Sequence, residues 1–325
     1  MDEGAEDRRG IRVKTPARIH ITLIDLNGTI GRVDGGAGFA IDRGMVVEVR
    51  EAEELRVEAG SNVKGNVKSK ELVERARRVA GLFGNFEVRI LEAYRPHCGL
   101  GSGTQLSLAV AKACTLLKGE TRSIRELAEF VGRGGTSGIG VAAFESGGFI
   151  VDGGHSRKVK PSFAPSSASR APPPPVIARH EFPWKTAVVI PDISGFSGSR
   201  EVNLFSSHCP LPLEEVREVS HIVLMKLLPA VVEKDLDSFN EGVRAIQNVG
   251  FKRVEVSMYP EISELLEHYR AGMSSTGTAV YAAVESDVEG RKLLRDMTRF
   301  FEEKGITCNG FIAEPNNRGA EVHEI

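Results

Sequence analysis

Cysteine, tryptophan and unbalanced charge are all scarce in this chain of 325 residues. The four cysteines, Cys98, Cys114, Cys209 and Cys308, stand far apart with no Cys-x-x-Cys spacing. That scatter argues against a zinc knuckle and a disulfide framework, and it fits a reducing cytoplasm. Forty-two basic residues against 44 acidic ones leave a net charge of −2, so no global field draws the protein to nucleic acid or an anionic membrane. No window is long and apolar enough to span a bilayer, and Met1 to Gly10 is charged without an apolar core, so no export signal is expected. A cytoplasmic protein with a small soluble ligand is the expectation.

Glycine is what the chain has in quantity, with 35 residues, and its densest use is informative. Gly99-Leu100-Gly101-Ser102-Gly103-Thr104-Gln105 runs into Leu106, Val110, Cys114 and Leu117, spaced for one face of a helix. Backbone N–H groups of Gly101, Ser102 and Gly103 then lie at the positive end of a helix dipole with no side chain in the way, the build of a phosphate site. The bland alternative is a tight strand-to-helix turn that uses glycine only for its positive φ.

Arg18 to Leu26 alternates Ile19, Ile21 and Leu23 against polar residues, the period of a half-buried strand, and Asn27 to Gly36 reads as the following hairpin tip. Helices are expected over Glu71–Phe83, Ile124–Val131 (capped by Ser123 with Glu126), Leu213–Val232, Asp235–Val249, Ser263–Tyr269 and Asp287–Lys304. Strands are expected near Phe39–Ile41, Met45–Val49, Phe86–Leu91, Val141–Val151, Thr186–Ile190 and Ile306–Ala313, and the loop Gly272 to Gly277 leads into the apolar Ala279–Val284. Strands with intervening helices indicate an α+β layer fold. Between His155 and Pro183 lies a Ser/Pro/Arg-rich run containing Pro172 to Pro175, read as a long loop. Its basic residues Arg157, Lys158, Lys160, Arg170, Arg179 and His180 suit either an anion-binding lid or a plain connector.

Three segments in order, Pro16-Ala17-Arg18-Ile19, Gly99-Leu100-Gly101-Ser102 and Gly272-Met273-Ser274-Ser275-Thr276-Gly277, resemble the signature motifs of the GHMP kinase superfamily over nearly the whole chain. The resemblance implies a two-domain fold, with a ribosomal-protein-S5-like N-terminal domain and a ferredoxin-like C-terminal domain. The corresponding division is a charged tail (1–10), an N-terminal domain with the phosphate loop (11–154), the Pro/Ser-rich loop or lid (155–183) and a C-terminal domain (184–325). The superfamily's kinases carry an aspartate shortly after a Ser-Gly pair to handle the acceptor proton. Here Gly140 or Val141 of Thr136-Ser137-Gly138-Ile139-Gly140-Val141 holds that place, and neither can accept a proton.

In detail the chain is similar to one non-kinase subgroup, the β-ribofuranosylaminobenzene (or hydroxybenzene) 5′-phosphate synthases of methanopterin biosynthesis. The similarity lies in Arg18 to Leu26, Gly99 to Gln105, Gly132 to Gly140 and Ala171 to Arg179. It implies reaction of phosphoribosyl pyrophosphate with 4-hydroxybenzoate or 4-aminobenzoate, giving a C-riboside 5′-phosphate, CO₂ and pyrophosphate. The alternative is an ATP-dependent small-molecule kinase of the same superfamily. On the synthase reading Asp25 and Arg32 are the catalytic candidates, the first to stabilise charge at the anomeric carbon, the second to fork onto the benzoate carboxylate. Substrate-binding candidates are His20, His97, Gly99, Leu100, Gly101, Ser102, Gly103, Thr104, Gln105, Ser137, Ser274, Ser275 and Thr276. Mg²⁺ is the expected cofactor for a pyrophosphate leaving group. Ser102, Glu145 and Asp152 carry suitable oxygens, and nothing in the pattern selects its ligands. A homodimer is expected, with the Leu213–Val232 helix as an apolar surface for it.

Overall fold

The computed structural model describes residues 9–60, 63, 69–195 and 198–325, so the expected charged tail lies almost wholly outside the described residues. The first part of the chain forms β1 (Gly10–Lys14), β2 (Ala17–Asp25), β3 (Arg32–Ile41), β4 (Val46–Glu51), β5 (Arg56–Ala59), α1 (Ser69–Gly81) and β6 (Phe86–Glu92). Then come α2 (Ser102–Leu117), α3 (Ile124–Phe130), α4 (Ile139–Ser146), β7 (Phe149–Asp152), β8 (His155–Ser156) and β9 (Val176–His180). The rest comprises β10 (Lys185–Pro191), α5 (Ser199–His208), α6 (Leu213–Ile222), α7 (Leu228–Glu233), α8 (Leu236–Ile246), α9 (Gly250–Ser257) and α10 (Pro260–His268). It closes with β11 (Gly272–Met273), β12 (Val280–Val284), α11 (Asp287–Glu302), β13 (Cys308–Ala313) and β14 (Glu321–Glu324).

These elements build three sheets, in the orders β14-β1-β4-β6-β5, β2-β3-β7-β9 with β8 beside β3, and β11-β12-β10-β13. Helix α2 is buried almost all round, and with α1 it covers the first sheet in a core of Val47, Val88, Leu108 and Leu117. Aromatic rings join the second sheet to the third: Phe39 stacks on Phe182 at 4.0 Å between centroids, and Phe239 meets Phe149, Phe182 and Trp184. Burying each such ring contributes roughly 1.5–3 kcal/mol, and their interlock fixes the two halves around the cleft they share.

The chain crosses from the second sheet to the third at residues 181–184, and from the third to the first at residues 314–320. The two crossings bond to each other: Phe182 N–H donates to Asn317 Oδ1 at 2.8 Å, and Asn317 Nδ2 donates back to the Phe182 carbonyl at 3.1 Å. Arg179 adds donations to the Ser146 and Asn317 carbonyls.

Several local expectations change in the folded chain. Strand β2 is buried on both faces, His20 and Thr22 included, because α4 lies on one side and α6, α8 and α9 on the other. The hairpin tip is shorter than expected, since β3 already begins at Arg32. Residues 141–146, read as the start of a strand, belong to α4; a small, uniformly apolar run carries no period that separates the two states. The Pro/Ser-rich segment is not irregular throughout: β8 pairs with β3, and β9 pairs with β7 after a bulge at Asp152. Ser123 caps α3 with the full reciprocal box to Glu126. Leu213–Glu233 is helical but includes a π turn at Val223–Leu227.

Candidate active site

The site begins where two glycine loops touch backbone to backbone. A Cβ on Gly99 would lie 2.3 Å from the Ser274 carbonyl oxygen, and one on Gly277 would lie 2.0 Å from Gly99 N. Only glycine permits that approach at either position. Ser274 locks it: its Oγ accepts the His20 N–H at 3.0 Å and donates to the Gly99 carbonyl at 2.7 Å. From the other side, Arg18 N–H and the Tyr94 hydroxyl both donate to the Leu100 carbonyl. Lys252, fully buried and ion-paired with Glu255, donates to the Ser275 carbonyl at 3.1 Å.

The resulting cavity, of about 190 Å³, is lined by the helix N-terminus at Gly101–Thr104 and by Arg18, Arg75 and Arg133. The first amides of α2 have no intrahelical acceptor and face this space as donors. Arg133 donates Nε and Nη2 to Thr104 Oγ1 at 3.1 and 3.0 Å. Burial first, then the charges of Arg75 and Arg18, push its guanidinium down to about 10. Arg18 donates Nη1 to the Gly99 carbonyl at 3.2 Å, while its buried Nε has no partner. Arg75 has one counter-charge at 3.5 Å, Glu71, which also binds His97 Nε2 at 2.8 Å. Three mutually repelling guanidiniums around a helix N-terminus form a cradle for a multiply charged anion.

Glu201 and Glu255 line the same cavity, together with the apolar Leu23 and Phe205. Burial and the Glu255 charge raise the Glu201 carboxyl to about 7. The floor is polar: His20 Nε2 lies 3.2 Å from Ser137 Oγ, which donates to Asp152 Oδ2 at 3.2 Å. Burial, then Arg18 and Lys252, hold His20 well below the usual imidazole range, so the ring is neutral.

Of the residues expected from sequence, His20, His97, Gly99, Gly101, Ser102, Gly103, Thr104, Ser137, Ser275 and Thr276 line this cavity. Leu100 is buried in the core, and Gln105 donates to the Gly140 carbonyl behind the loop. Ser274 acts as the lock just described. Asp25 and Arg32 are not among the cavity residues. Backbone groups engage both: Asp25 Oδ1 accepts the N–H groups of Asn27 and Gly28 in the hairpin turn at 2.8 Å, and Arg32 donates to the Gly153 and Gly154 carbonyls between β7 and β8 at 2.8 Å. The basic residues of the 155–183 segment do not line the cavity either; Pro165, Ser166 and Ser167 do. Lys160 is instead buried against Asp34, Thr136 Oγ1 and the Ala164 carbonyl, which seats that stretch.

Arg75, Arg133, Glu201 and Glu255 were not singled out by the sequence reading. Arg133 carried a signal in its flanking glycines, Gly132 and Gly134, both with positive φ. Arg75, Glu201 and Glu255 lie on helices whose pattern gives no cleft-facing mark. Among the oxygen donors considered for Mg²⁺, only Ser102 reaches the cavity. Glu145 is exposed, and Asp152 is buried with its carboxylate on Ser137 and the amides of Gly138 and Gly154. Among the described residues no group of three or more His, Cys, Asp and Glu side chains gathers to hold a metal.

Comparison with known proteins agrees with this architecture. Residues 67–148 match the family described as GHMP kinases N terminal domain, and residues 227–303 match GHMP kinases C terminal. The beta-ribofuranosylphenol 5′-phosphate synthase of Archaeoglobus fulgidus is 48% identical over 318 residues, covering 96% of this chain and 99% of that protein. The synthases so named from Methanothermobacter thermautotrophicus and Methanocaldococcus jannaschii are 47% and 40% identical, covering 84% and 95% of this chain and 88% and 99% of their own. The chain belongs to the beta-ribofuranosylphenol 5′-phosphate synthase family. Homoserine kinase from Cytophaga hutchinsonii shares the fold at a TM-score of 0.66 and 16% identity, with 99% of both chains covered. Mevalonate kinase from Methanococcus jannaschii does so at 0.60 and 13%, with 96% of this chain and 100% of that one covered. Gly140 lines the family member's cavity with no side chain, packed so that a Cβ would meet Thr104 Cγ2 at 3.3 Å. Among the described residues no helix is long and apolar enough to cross a membrane.

Proposed function

We propose that this chain transfers the phosphoribosyl group of phosphoribosyl pyrophosphate to the ring carbon of 4-hydroxybenzoate, releasing CO₂ and pyrophosphate in a step of methanopterin biosynthesis. The observation that carries this reading is the cradle of Arg18, Arg75 and Arg133 at the α2 N-terminus, beside a Thr136–Val141 turn that has no carboxylate of its own. Guanidiniums crowded together at a helix N-terminus are stabilised by the substrate's phosphates, and most of all by the pyrophosphate as its charge grows in the transition state. The acceptor needs no alkoxide: electron release from the para hydroxyl makes the carboxyl-bearing carbon nucleophilic, and loss of CO₂ restores aromaticity. The phenol in the relatives' names favours the hydroxy acid over the amino acid. Leu23 and Phe205 offer apolar walls for the ring.

Mg²⁺ suits the carboxylates of this cavity, because the Glu255 charge raises Glu201 and a cation would relieve that repulsion, while Ser102 lines the same space; these three would hold it, and it would supply charge neutralisation of the pyrophosphate. A cytoplasmic location accords with four unpaired cysteines, and a homodimer with the exposed Leu224, Met225 and Val232 on the helix expected to supply a dimer surface. The test is CO₂ release from carboxyl-labelled 4-hydroxybenzoate and 4-aminobenzoate with phosphoribosyl pyrophosphate and Mg²⁺, without ATP. Release dependent on phosphoribosyl pyrophosphate is the expected result. Folded protein that releases none from either acid refutes the reading and returns the kinase alternative.

A further inference from the structure

The His20, Ser137 and Asp152 side chains at the cavity floor have a direction that the reaction can use. Asp152 Oδ2 accepts the Gly138 N–H at 2.9 Å and its Oδ1 accepts the Gly154 N–H at 3.0 Å, which fixes the carboxyl group in place. With Asp152 ionised, Ser137 Oγ donates its proton to Asp152 Oδ2 and accepts the Ile139 N–H at 3.3 Å; in the Nε2–H tautomer of His20 its second lone pair receives the imidazole proton. Nδ1 of His20 then carries a bare lone pair. It is buried, it has no hydrogen-bond partner, and it belongs to a residue that lines the cavity. An imidazole acceptor without a partner is costly to keep in a finished core, which marks it as a group awaiting a ligand proton.

Gly36 of β3 supplies a second, geometric sign that this convergence is built into the fold. A Cβ there would stand 3.0 Å from Ser137 Oγ, 3.1 Å from His20 Nε2 and 3.2 Å from Asp152 Oδ2. Its backbone is not left-handed, so the glycine serves the space rather than the turn. Asp152 also brings a carboxyl group from β7 to the Ser137-Gly138 turn, where the chain lacks one at positions 140 and 141.

We propose that these three residues are the proton-handling element of the site, with His20 Nδ1 accepting the para-hydroxyl proton of the bound hydroxybenzoate. This rests on the reaction proposed above. The phenolic O–H bond breaks and an N–H bond forms on His20. As the ring carbon forms its bond to the anomeric carbon, the bond from that carbon to the pyrophosphate oxygen breaks, leaving a neutral dienone. Cleavage of the ring–carboxylate bond releases CO₂ and returns its electron pair to the ring as a phenolate, which takes the proton back from His20. The balance closes with no other reactant. His20 is the catalytic residue; Ser137 and Asp152 are positioning residues that orient the ring and support the imidazolium.

The charges that face His20 time this transfer. Arg18 lies on its own strand, Lys252 and Glu255 on α9, Asp152 on β7 behind Ser137, and Glu201 on α5 in the same cavity lining. In the empty site Arg18 and Lys252 favour the neutral ring, so the lone pair is available. Anionic substrate held by Arg18 offsets that field, so the ring's affinity for a proton rises when the hydroxyl is beside it.

His20→Gln, Ser137→Ala and Asp152→Asn would be assayed for CO₂ release with 4-hydroxybenzoate and with 3,5-difluoro-4-hydroxybenzoate, whose hydroxyl is more acidic. Pyrophosphate binding, followed by calorimetry, reports on the intact cradle. His20→Gln should bind pyrophosphate within about twofold of wild type. It should lose about 10²–10⁴-fold in kcat with 4-hydroxybenzoate. With the fluorinated acid the variant-to-wild-type ratio should recover at least about tenfold, because an ionised phenol has no proton to give. Ser137→Ala and Asp152→Asn should move the pH dependence of kcat for the first acid and not for the second. Equal losses with both acids, or pH profiles that do not move, overturn the relay while leaving the reaction intact. Wild-type protein that binds pyrophosphate yet releases no CO₂ from either acid overturns the reaction itself, and the relay with it.

Discussion

Replacing Arg133 by methionine separates what the arginine cradle does for the ligand from what it does for the fold. In the ligand-free protein Arg133 contributes two hydrogen bonds to Thr104 Oγ1, worth about 1 kcal/mol each. Against that stand the burial of its charge and the repulsion of Arg75 and Arg18, which together push its pKa down to about 10. Exchanging a buried charged group for an apolar one of similar length is often neutral or stabilising. The two contributions nearly cancel, so the unliganded variant should unfold within a few degrees of wild type. Binding is another matter. A charge at 4 Å contributes ~4 kcal/mol at an effective dielectric constant near 20. Truncating one partner of such a pair costs about 2–5 kcal/mol in practice. A loss of 2–4 kcal/mol corresponds to roughly 30-fold to 1,000-fold in Kd at 1.4 kcal/mol per tenfold. Calorimetric titration with pyrophosphate measures the first quantity and thermal unfolding without ligand measures the second. An unchanged Kd, or a weaker Kd matched by an equal loss of fold stability, would refute the reasoning.

Three further outcomes follow from the same geometry. Burial first raises the Asp152 carboxyl to about 7, so the folded state holds this proton above the pH at which the unfolded chain releases it. Its contribution to stability is therefore full below about pH 4 and is lost as pH rises toward 7, by on the order of 4 kcal/mol. Asp152→Asn should show a stability advantage over wild type that grows over that window in denaturant titrations; an advantage independent of pH would contradict this. Gly36→Ala, which forces a methyl group among Ser137, His20 and Asp152, should cost about 1–3 kcal/mol by overpacking. It should also reduce CO₂ release more than pyrophosphate affinity. Ser123→Ala, which removes the capping box of α3, should cost about 1 kcal/mol with kcat unchanged, as checked by the denaturation midpoint and the labelled-acid assay.

What the sequence made legible was set by how local the signal was. The phosphate loop, the α3 cap and the loop at 272–277 each carry their function in consecutive residues. Short side chains and backbone groups close in sequence build them, and glycine, serine and threonine announce them. The cradle's cations come from three separated elements, β2, α1 and the turn before α4, and only folding brings them to one cavity. Asp25 and Arg32 illustrate the converse. Adjacent to a glycine turn and of suitable chemistry, they look like a site, yet Asp25 accepts the turn's own N–H groups and Arg32 donates to the Gly153 and Gly154 carbonyls between β7 and β8. Helices α5 and α9 went unread because each is short and offers only a few apolar positions, although they supply Glu201 and the Lys252–Glu255 pair. The paired burial of His20 and Thr22 likewise depends on which helices cover β2, and alternation within the strand says nothing of that.

The reciprocal bonds between Phe182 and Asn317 govern how the cleft can move. Two lobes joined by one peptide can swing about it, whereas here two connections run side by side and are tied at their midpoints. A swing would shear both bonds and unstack Phe182 from Phe39 at once. The lobes thus behave as the jaws of a fixed vice rather than a hinged clamp. Motion that admits substrate would then fall to smaller parts of the cavity wall, such as the Pro165–Ser167 stretch and α5, which a Ser167–Glu201 hydrogen bond joins. Turnover in this family member would then be paced by a loop a few residues long, and viscosity or loop substitutions should slow it without any change in how the two lobes face each other.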